Sequence, residues 1–209
     1  FTCTVDSNAD SPDAAADALP NDINCGSPAP NTCTLRAAIL TINGTLPAVV
    51  SATRRVITIN PATITVTSNL TPITRQVEIN GPAGRTTISG VNNMSAPAFT
   101  LLRFTDPDPA PGSTSYKVSN LILTNARGDN GPGLFFSPAA ASTLAVTNTD
   151  ITNSSVAATV AGSGGGLYVG PGHTVTYTGG QLTGNTAASG GAVYNKGNLS
   201  LIGTTIGTP

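Results

Sequence analysis

Two segments near the C-terminus, Gly164-Gly165-Gly166-Leu167-Tyr168 and Gly190-Gly191-Ala192-Val193-Tyr194, repeat one pattern. Each follows a matched run, Asp150-Ile151-Thr152-Asn153 in the first case and Gln181-Leu182-Thr183-Gly184-Asn185 in the second. This self-similarity constrains the fold more than any single residue does, because a short repeat buries its apolar face only by stacking on its neighbours. The anchors Leu123, Ile151, Leu182 and Ile206 are 28, 31 and 24 residues apart, and Tyr168 and Tyr194 are 26 apart. A period that varies in this way implies loops of variable length between the repeated strands.

Within each repeat the apolar residues alternate with Thr, Ser and Asn, as in Leu144, Val146 and Ile151 or Val175, Tyr177 and Leu182. Period-two alternation is the strand signal, since successive side chains point to opposite faces. No helical pattern follows residue 45, so the helices that would cover a flat parallel sheet are missing. The reading is all-β: a parallel β-helix over residues 46–209. Stacking at about 4.8 Å per coil gives roughly six coils and a rod about 30 Å tall. Leu123, Ile151, Leu182 and Ile206 then form an internal apolar column, and Phe135, Tyr168 and Tyr194 an aromatic one. Asn125, Asn153 and Asn185 are placed to form an amide ladder at a corner. The glycines mark bends and close backbone approaches.

The first 45 residues read differently. Leu35, Ala38, Ile39 and Ile42 lie at i, i+3, i+4 and i+7, with Thr34 as N-cap and Gly44 at the stop position. A helix of about ten residues is marginal alone. It is expected to dock on the open end of the first coil and cover an edge that would otherwise recruit other strands. Residues 1–45 are therefore assigned as an N-terminal cap. Cys3, Cys25 and Cys33 all fall here, in a chain that opens on Phe1 without Met. That is the look of an exported chain whose signal peptide has been removed. A local disulfide between Cys25 and Cys33, around the loop from Gly26 to Thr32, fits that compartment. Cys3 shares the apolar face of a first strand with Phe1 and Val5. Two readings stand for it, a small buried hydrophobe or a pairing partner for another cysteine.

Five of the ten acidic residues, Asp6, Asp10, Asp13, Asp17 and Asp22, lie in the first 22 positions. Asp6, Asn8, Asp10 and Asp13 are spaced to aim several oxygens at a hard cation such as calcium. The competing reading is a solvated acidic loop in which one Asp pairs with Arg36, the only cation in the first 53 residues.

The segment Cys33-Thr34-Leu35-Arg36-Ala37-Ala38-Ile39 resembles the Cys-Ser-Leu-Arg-Glu-Ala-Ile motif that opens a class of bacterial exported and surface β-helix proteins. Downstream, Leu182-Thr183-Gly184-Asn185 and Gly190-Gly191-Ala192-Val193 are similar to the Phe-x-x-Asn and Gly-Gly-Ala-Ile repeats of polymorphic outer-membrane proteins. The resemblance implies a right-handed parallel β-helix, secreted or exposed on a cell surface, often adhesive and usually without enzyme activity. Two departures stand out: Ala37 replaces the motif's Glu, and no translocation barrel or sorting anchor follows in this sequence.

Composition excludes several function classes. Only 9% of residues are charged, and no run approaches the roughly 18 apolar residues of a spanning helix. The nine Lys and Arg are scattered, apart from Arg54-Arg55, and lack the aromatic platforms that accompany nucleic-acid binding. His173 is the sole histidine, which excludes a multi-histidine metal site. Ala161 spoils the only approach to a nucleophile elbow, and no phosphate loop is present. Glu78, Asp106, Asp108, Asp129 and Asp150 are scattered, whereas paired glycosidase carboxylates must sit about 5 to 10 Å apart.

No active site is expected. The last strands, carrying Leu199, Leu201 and Ile206, have no visible cap, and repeat proteins need polar terminal units. Either a longer natural chain continues, or this end docks on the cap of the next molecule. Head-to-tail docking of that kind builds a filament. The leading expectation is a non-enzymatic secreted or cell-surface structural and adhesive protein, partnered by itself or by surface or matrix glycans and proteins. One alternative is a polysaccharide lyase or hydrolase, requiring at least two acids and a base on one solvent-facing sheet. The other is a calcium-dependent glycan-binding module built on the loop from Asp6 to Asp22.

Overall fold

The computed structural model describes residues 2–10, 33–44, 55–91, 99–105, 114–157 and 162–207. The chain opens with β1 (Thr2–Val5) and α1 (Leu35–Asn43), followed by β2 (Arg55–Ile59), β3 (Thr63–Val66), β4 (Val77–Asn80), β5 (Thr86–Gly90) and β6 (Leu102–Phe104). A second round comprises β7 (Thr114–Ser119), β8 (Leu121–Thr124), β9 (Arg127–Gly128) and β10 (Leu134–Phe136). A third comprises β11 (Ser142–Thr147), β12 (Asp150–Thr152), β13 (Ser155–Val156) and β14 (Leu167–Val169). Then come β15 (Thr174–Thr178), β16 (Gln181–Thr183) and β17 (Val193–Asn195), and last β18 (Asn198–Ile202) and β19 (Thr205–Gly207).

The protein is thus all-β apart from α1 among the described residues. Its described strands form sheets of seven, six, four and two strands. The first runs β1-β2-β4-β7-β11-β15-β18, the second β19-β16-β12-β8-β5-β3, the third β17-β14-β10-β6, and β13 pairs with β9. Every strand pair is parallel. From β4 onward the chain visits the first, second and third sheets in that order, then returns to the first beside the strand it left. Alternation is clean in β11 and β15, where Leu144, Val146, Val175 and Tyr177 point inward while Thr143, Thr147, Thr174 and Thr178 are exposed. The β-branched residues favour this half-buried pleated surface.

The expected apolar column is present and longer than anticipated: Ile64, Ile88, Leu123, Ile151, Leu182 and Ile206 are successive register partners. The first five are at most 1% exposed, and each such burial is worth about 1.5–3 kcal/mol. The first sheet supplies a second column, Cys3-Ile57-Ile79-Val118-Val146-Tyr177-Leu201. The aromatic column is in register too, Phe135 on Tyr168 on Tyr194. It lies half-buried on the outer face of the third sheet, alternating with inward Leu134, Phe136, Leu167 and Val169.

The amide ladder needs correction. Asn125 and Asn153 do share a corner, at φ +56 and +52, but Gly184 rather than Asn185 holds the next left-handed position, at φ +67. With glycine making the bend, Asn185 turns inward: its Oδ1 accepts from the Ser154 N–H at 3.0 Å and its Nδ2 donates to the Ile151 carbonyl at 2.7 Å. The direct amide-to-amide bond occurs at the other corner, where Asn148 Nδ2 donates to Asn120 Oδ1 at 2.9 Å.

The two glycine segments stack as neighbours. Gly131, Gly164 and Gly190 all have positive φ, a region costly for residues bearing Cβ. A Cβ on Gly165 would stand 2.3 Å from the Gly191 carbonyl oxygen. Gly131-Pro132-Gly133-Leu134-Phe135 is a third copy, concealed in the sequence by its proline.

At the N-terminal end, α1 lies against β1 and β2. Thr34 Oγ1 accepts from the Ala37 N–H at 3.1 Å. Six of the nine helical residues are buried, including Ala37 and Thr41 off the Leu35–Ile39–Ile42 stripe. A helix buried on most of its circumference is enclosed and not merely laid on a surface. β1 belongs to the first sheet, so the N-terminal segment and the body share one continuous core. No described helix is long and apolar enough to cross a membrane.

Candidate functional site

The acidic loop after β1 is tied into the fold. Asp10 Oδ1 accepts from Arg36 Nη2 at 2.7 Å and Nε at 3.0 Å, two charge-assisted bonds converging on one oxygen. Asp10 Oδ2 accepts from the Thr67 N–H at 2.6 Å and hydroxyl at 2.9 Å. Arg36 also donates to the Asn69 carbonyl, and to the Ser68 carbonyl at 3.2 Å and hydroxyl at 2.9 Å. Loop, helix and the strand end after β3 are thereby clasped together. Asp6 Oδ1 accepts from the Cys33 N–H at 2.7 Å, while Asn8 is exposed. Both Asp10 oxygens and one of Asp6 thus serve the protein's own donors. Asp13 lies outside the described residues, as do Cys25, Asp106 and Asp108. Among the described residues no three His, Cys, Asp or Glu side chains converge on a point.

The acids of the strand rounds are separated. Glu78 faces Lys117 across the first sheet, Oε1 to Nζ 2.7 Å. Asp150, on the second sheet, is held by Arg85 at 2.8 Å, and Arg85 itself sits at φ +65. Beside Asp150, Tyr177 donates its hydroxyl to the Thr149 carbonyl at 2.6 Å. Burial, and then the Asp150 charge, push the Tyr177 hydroxyl well above the ordinary tyrosine range. Asp129 stands in the loop after β9. No sheet face brings two of these described acids together. His173 is buried, edge-on to Phe136 at 5.4 Å between centroids. Burial lowers its pKa from 6.5, opposed by a hydrogen bond to the Pro138 backbone.

A different site emerges on the third sheet. A groove of about 480 Å³ is lined by Leu70, Phe99, Thr100, Arg103, Thr105 and Asp129. Arg103 is the register partner of Phe135, and its guanidinium carbon lies 4.6 Å from that ring's centroid. Beyond it the rings of Phe135 and Tyr168 stack at 4.8 Å and 8°, and those of Tyr168 and Tyr194 at 5.8 Å and 20°. Lys196 Nζ sits 5.5 Å from the Tyr194 centroid. A column of three stacked rings is therefore flanked by a cation at each end. Arg103 is hidden in the sequence because the repeat is aromatic at its other copies, Phe135, Tyr168 and Tyr194. Aligning Leu102-Arg103-Phe104 with Leu134-Phe135-Phe136 and Leu167-Tyr168-Val169 places it in the column.

The C-terminal end differs from all of this. Leu201, Ile202 and Ile206 are 38%, 52% and 51% exposed, the exposed large hydrophobics among the described residues. Leu199 is partly buried against the core.

No protein-family model, curated protein or solved structure matches the chain.

Proposed function

We propose that the chain winds as a right-handed parallel β-helix and acts, secreted or at a cell surface, as a non-enzymatic structural and adhesive element that associates end to end. The return of the chain to the same sheet after each round, with every strand pair parallel, supports the winding. Parallel crossovers in one sheet are right-handed in about 98% of cases. The observation that carries the function is an exposed apolar patch among the described residues, Leu201, Ile202 and Ile206 on β18 and β19, each of these strands being paired on one side only within its described sheet. An apolar strand edge is a template for another chain, and its docking on the differently shaped cap of a second copy propagates without closing. The pairing of the two buried acids of the strand rounds, Glu78 and Asp150, with cations of their own favours scaffold over lyase chemistry. The Cys25–Cys33 disulfide belongs to the same reading, and peptide mapping without reduction is expected to recover the two in one linked fragment.

The test is mass against concentration by light scattering, for the protein and for Ile206→Lys. The protein should grow beyond one chain as concentration rises, and the variant should stay monomeric. A mass of one chain at every concentration, or growth that Ile206→Lys leaves unchanged, overturns end-to-end association.

A further inference from the structure

We propose that the groove holding Arg103 and Asp129 binds a carbohydrate ring, and that a longer glycan continues from it along the column Phe135-Tyr168-Tyr194. The inference deepens the adhesive reading by giving it a ligand class and a place.

The argument begins with how the chain treats its other charges. Arg36 closes on Asp10, Arg85 on Asp150 and Lys117 on Glu78, each at 2.7 or 2.8 Å. Arg103 and Asp129 share a cavity and close on nothing: among the described residues neither side chain makes a hydrogen bond or an ion pair. Phe135 accounts for this. Its ring holds the Arg103 guanidinium by its face, and a stacked guanidinium keeps its in-plane N–H donors for another partner. The groove thus offers fixed donors from Arg103 and, from Asp129, a carboxylate that only accepts.

That pair selects its ligand by elimination. A free anion meets Asp129, a free cation meets Arg103, and an apolar molecule strips water from both charges without replacing its hydrogen bonds. A molecule that donates on one side, accepts on the other and carries an apolar face satisfies all three surfaces. Vicinal hydroxyls of a pyranose donate to Asp129, while its oxygens accept from Arg103, Thr100 and Thr105. The C–H face of the ring rests on Phe99 and Leu70. The volume of about 480 Å³ falls within the roughly 300–1,000 Å³ of small-ligand clefts. Past Arg103 the column advances one ring per strand, about 4.8 Å each, toward Lys196. Because the rings stack on one another, they present edges and the Tyr168 and Tyr194 hydroxyls, which suits hydrogen bonding to a chain lying across them.

Cellohexaose, xylohexaose and mannohexaose, titrated separately into the ¹⁵N-labelled full chain and followed by NMR, test the assignment, with free glycine as the zwitterionic competitor. At least one hexasaccharide should shift amides around Phe99, Arg103 and Asp129. Arg103→Gln and Asp129→Asn should each weaken it at least tenfold. Phe135→Leu, which removes the ring that positions Arg103, should weaken it less, and Thr176→Ala on the first sheet not at all. Unchanged thermal midpoints for the first two variants are expected, since neither side chain holds another in the fold. No shift with any hexasaccharide at millimolar concentration, shifts that both charge variants retain, or equal binding of glycine overturns the proposal. These outcomes are independent of the mass measurements, which read the strand edges at Leu201 and Ile206.

Discussion

Ile64 and Ile206 occupy the same column of the second sheet, at its N-terminal and C-terminal ends, yet Ile64 is 1% exposed and Ile206 51%. The first sheet repeats the contrast, with Cys3 at 2% and Leu201 at 38% at opposite ends of one column. Residue type does not explain the difference, because both members of the first pair are isoleucine. What differs is the neighbour. At one end α1 and the Arg36–Asp10 clasp lie against the first strands, and at the other the last described strands, β18 and β19, are paired on one side only. Burial in a stack of this kind is conferred by the next layer and not by the strand itself.

The sharpest way to break the contrast is to open the covered end. Arg36→Met leaves the Asp10 carboxylate 6% exposed without its cation, and removing one partner of a buried pair costs about 3–5 kcal/mol. Chemical denaturation should show a loss of that order, and a loss under about 1 kcal/mol would mean that the clasp is solvated and the helix holds itself. Next in size is a matched truncation. Ile64→Ala should cost about 2–5 kcal/mol, whereas Ile206→Ala, half-exposed, should stay within about 0.5 kcal/mol. Equal losses in dilute, monomeric protein would show that the exposed end is covered in solution.

Much of this contrast was legible beforehand, because period-two alternation and glycine spacing report directly on strands and corners. Leu123, Ile151, Leu182 and Ile206 align on their spacing alone, and Thr34 with the Leu35–Ile42 spacing announces a capped helix. Asn185 was misplaced because a left-handed corner accepts either Asn or Gly, so the run Gly184-Asn185 offers two registers that only the hydrogen bonds separate. Arg103 and Asp129 were not legible as a pair. They are 26 positions apart and meet only where one round lies on the next, and the face of Phe135 that keeps them from closing on each other is a tertiary fact.

His173 has no counterpart at the covered end, so acid should act on the C-terminal side first. Its Nδ1 is buried without a hydrogen-bond partner among the described residues, and burial holds its pKa below the ordinary 6.5. As pH falls below 6.5 the unfolded chain takes up a proton that the folded chain refuses. Stability is then complete above that value and declines beneath it, by at most about 1.4 kcal/mol per pH unit. His173→Gln, which keeps a donor and does not titrate, should flatten the profile between pH 6.5 and the folded-state value. An unchanged slope would place the acid sensitivity in the carboxylates instead.

The smallest effect tests whether order itself fades along the stack. Phe135 and Tyr168 stack at 4.8 Å and 8°, whereas Tyr168 and Tyr194, one strand nearer the open end, stand at 5.8 Å and 20°. Aromatic pairs contribute about 0.5–1.5 kcal/mol beyond the area they bury, and a double-mutant cycle isolates that coupling from the packing each ring loses alone. The Phe135/Tyr168 cycle, made with leucine at each site, should therefore give a coupling in the upper part of that range and the Tyr168/Tyr194 cycle one near its bottom. Association end to end would add a layer beyond Tyr194 and draw the second value up toward the first as protein concentration rises. A coupling that is equal for the two pairs in dilute solution would mean that the ladder is as firm at Tyr194 as at Phe135.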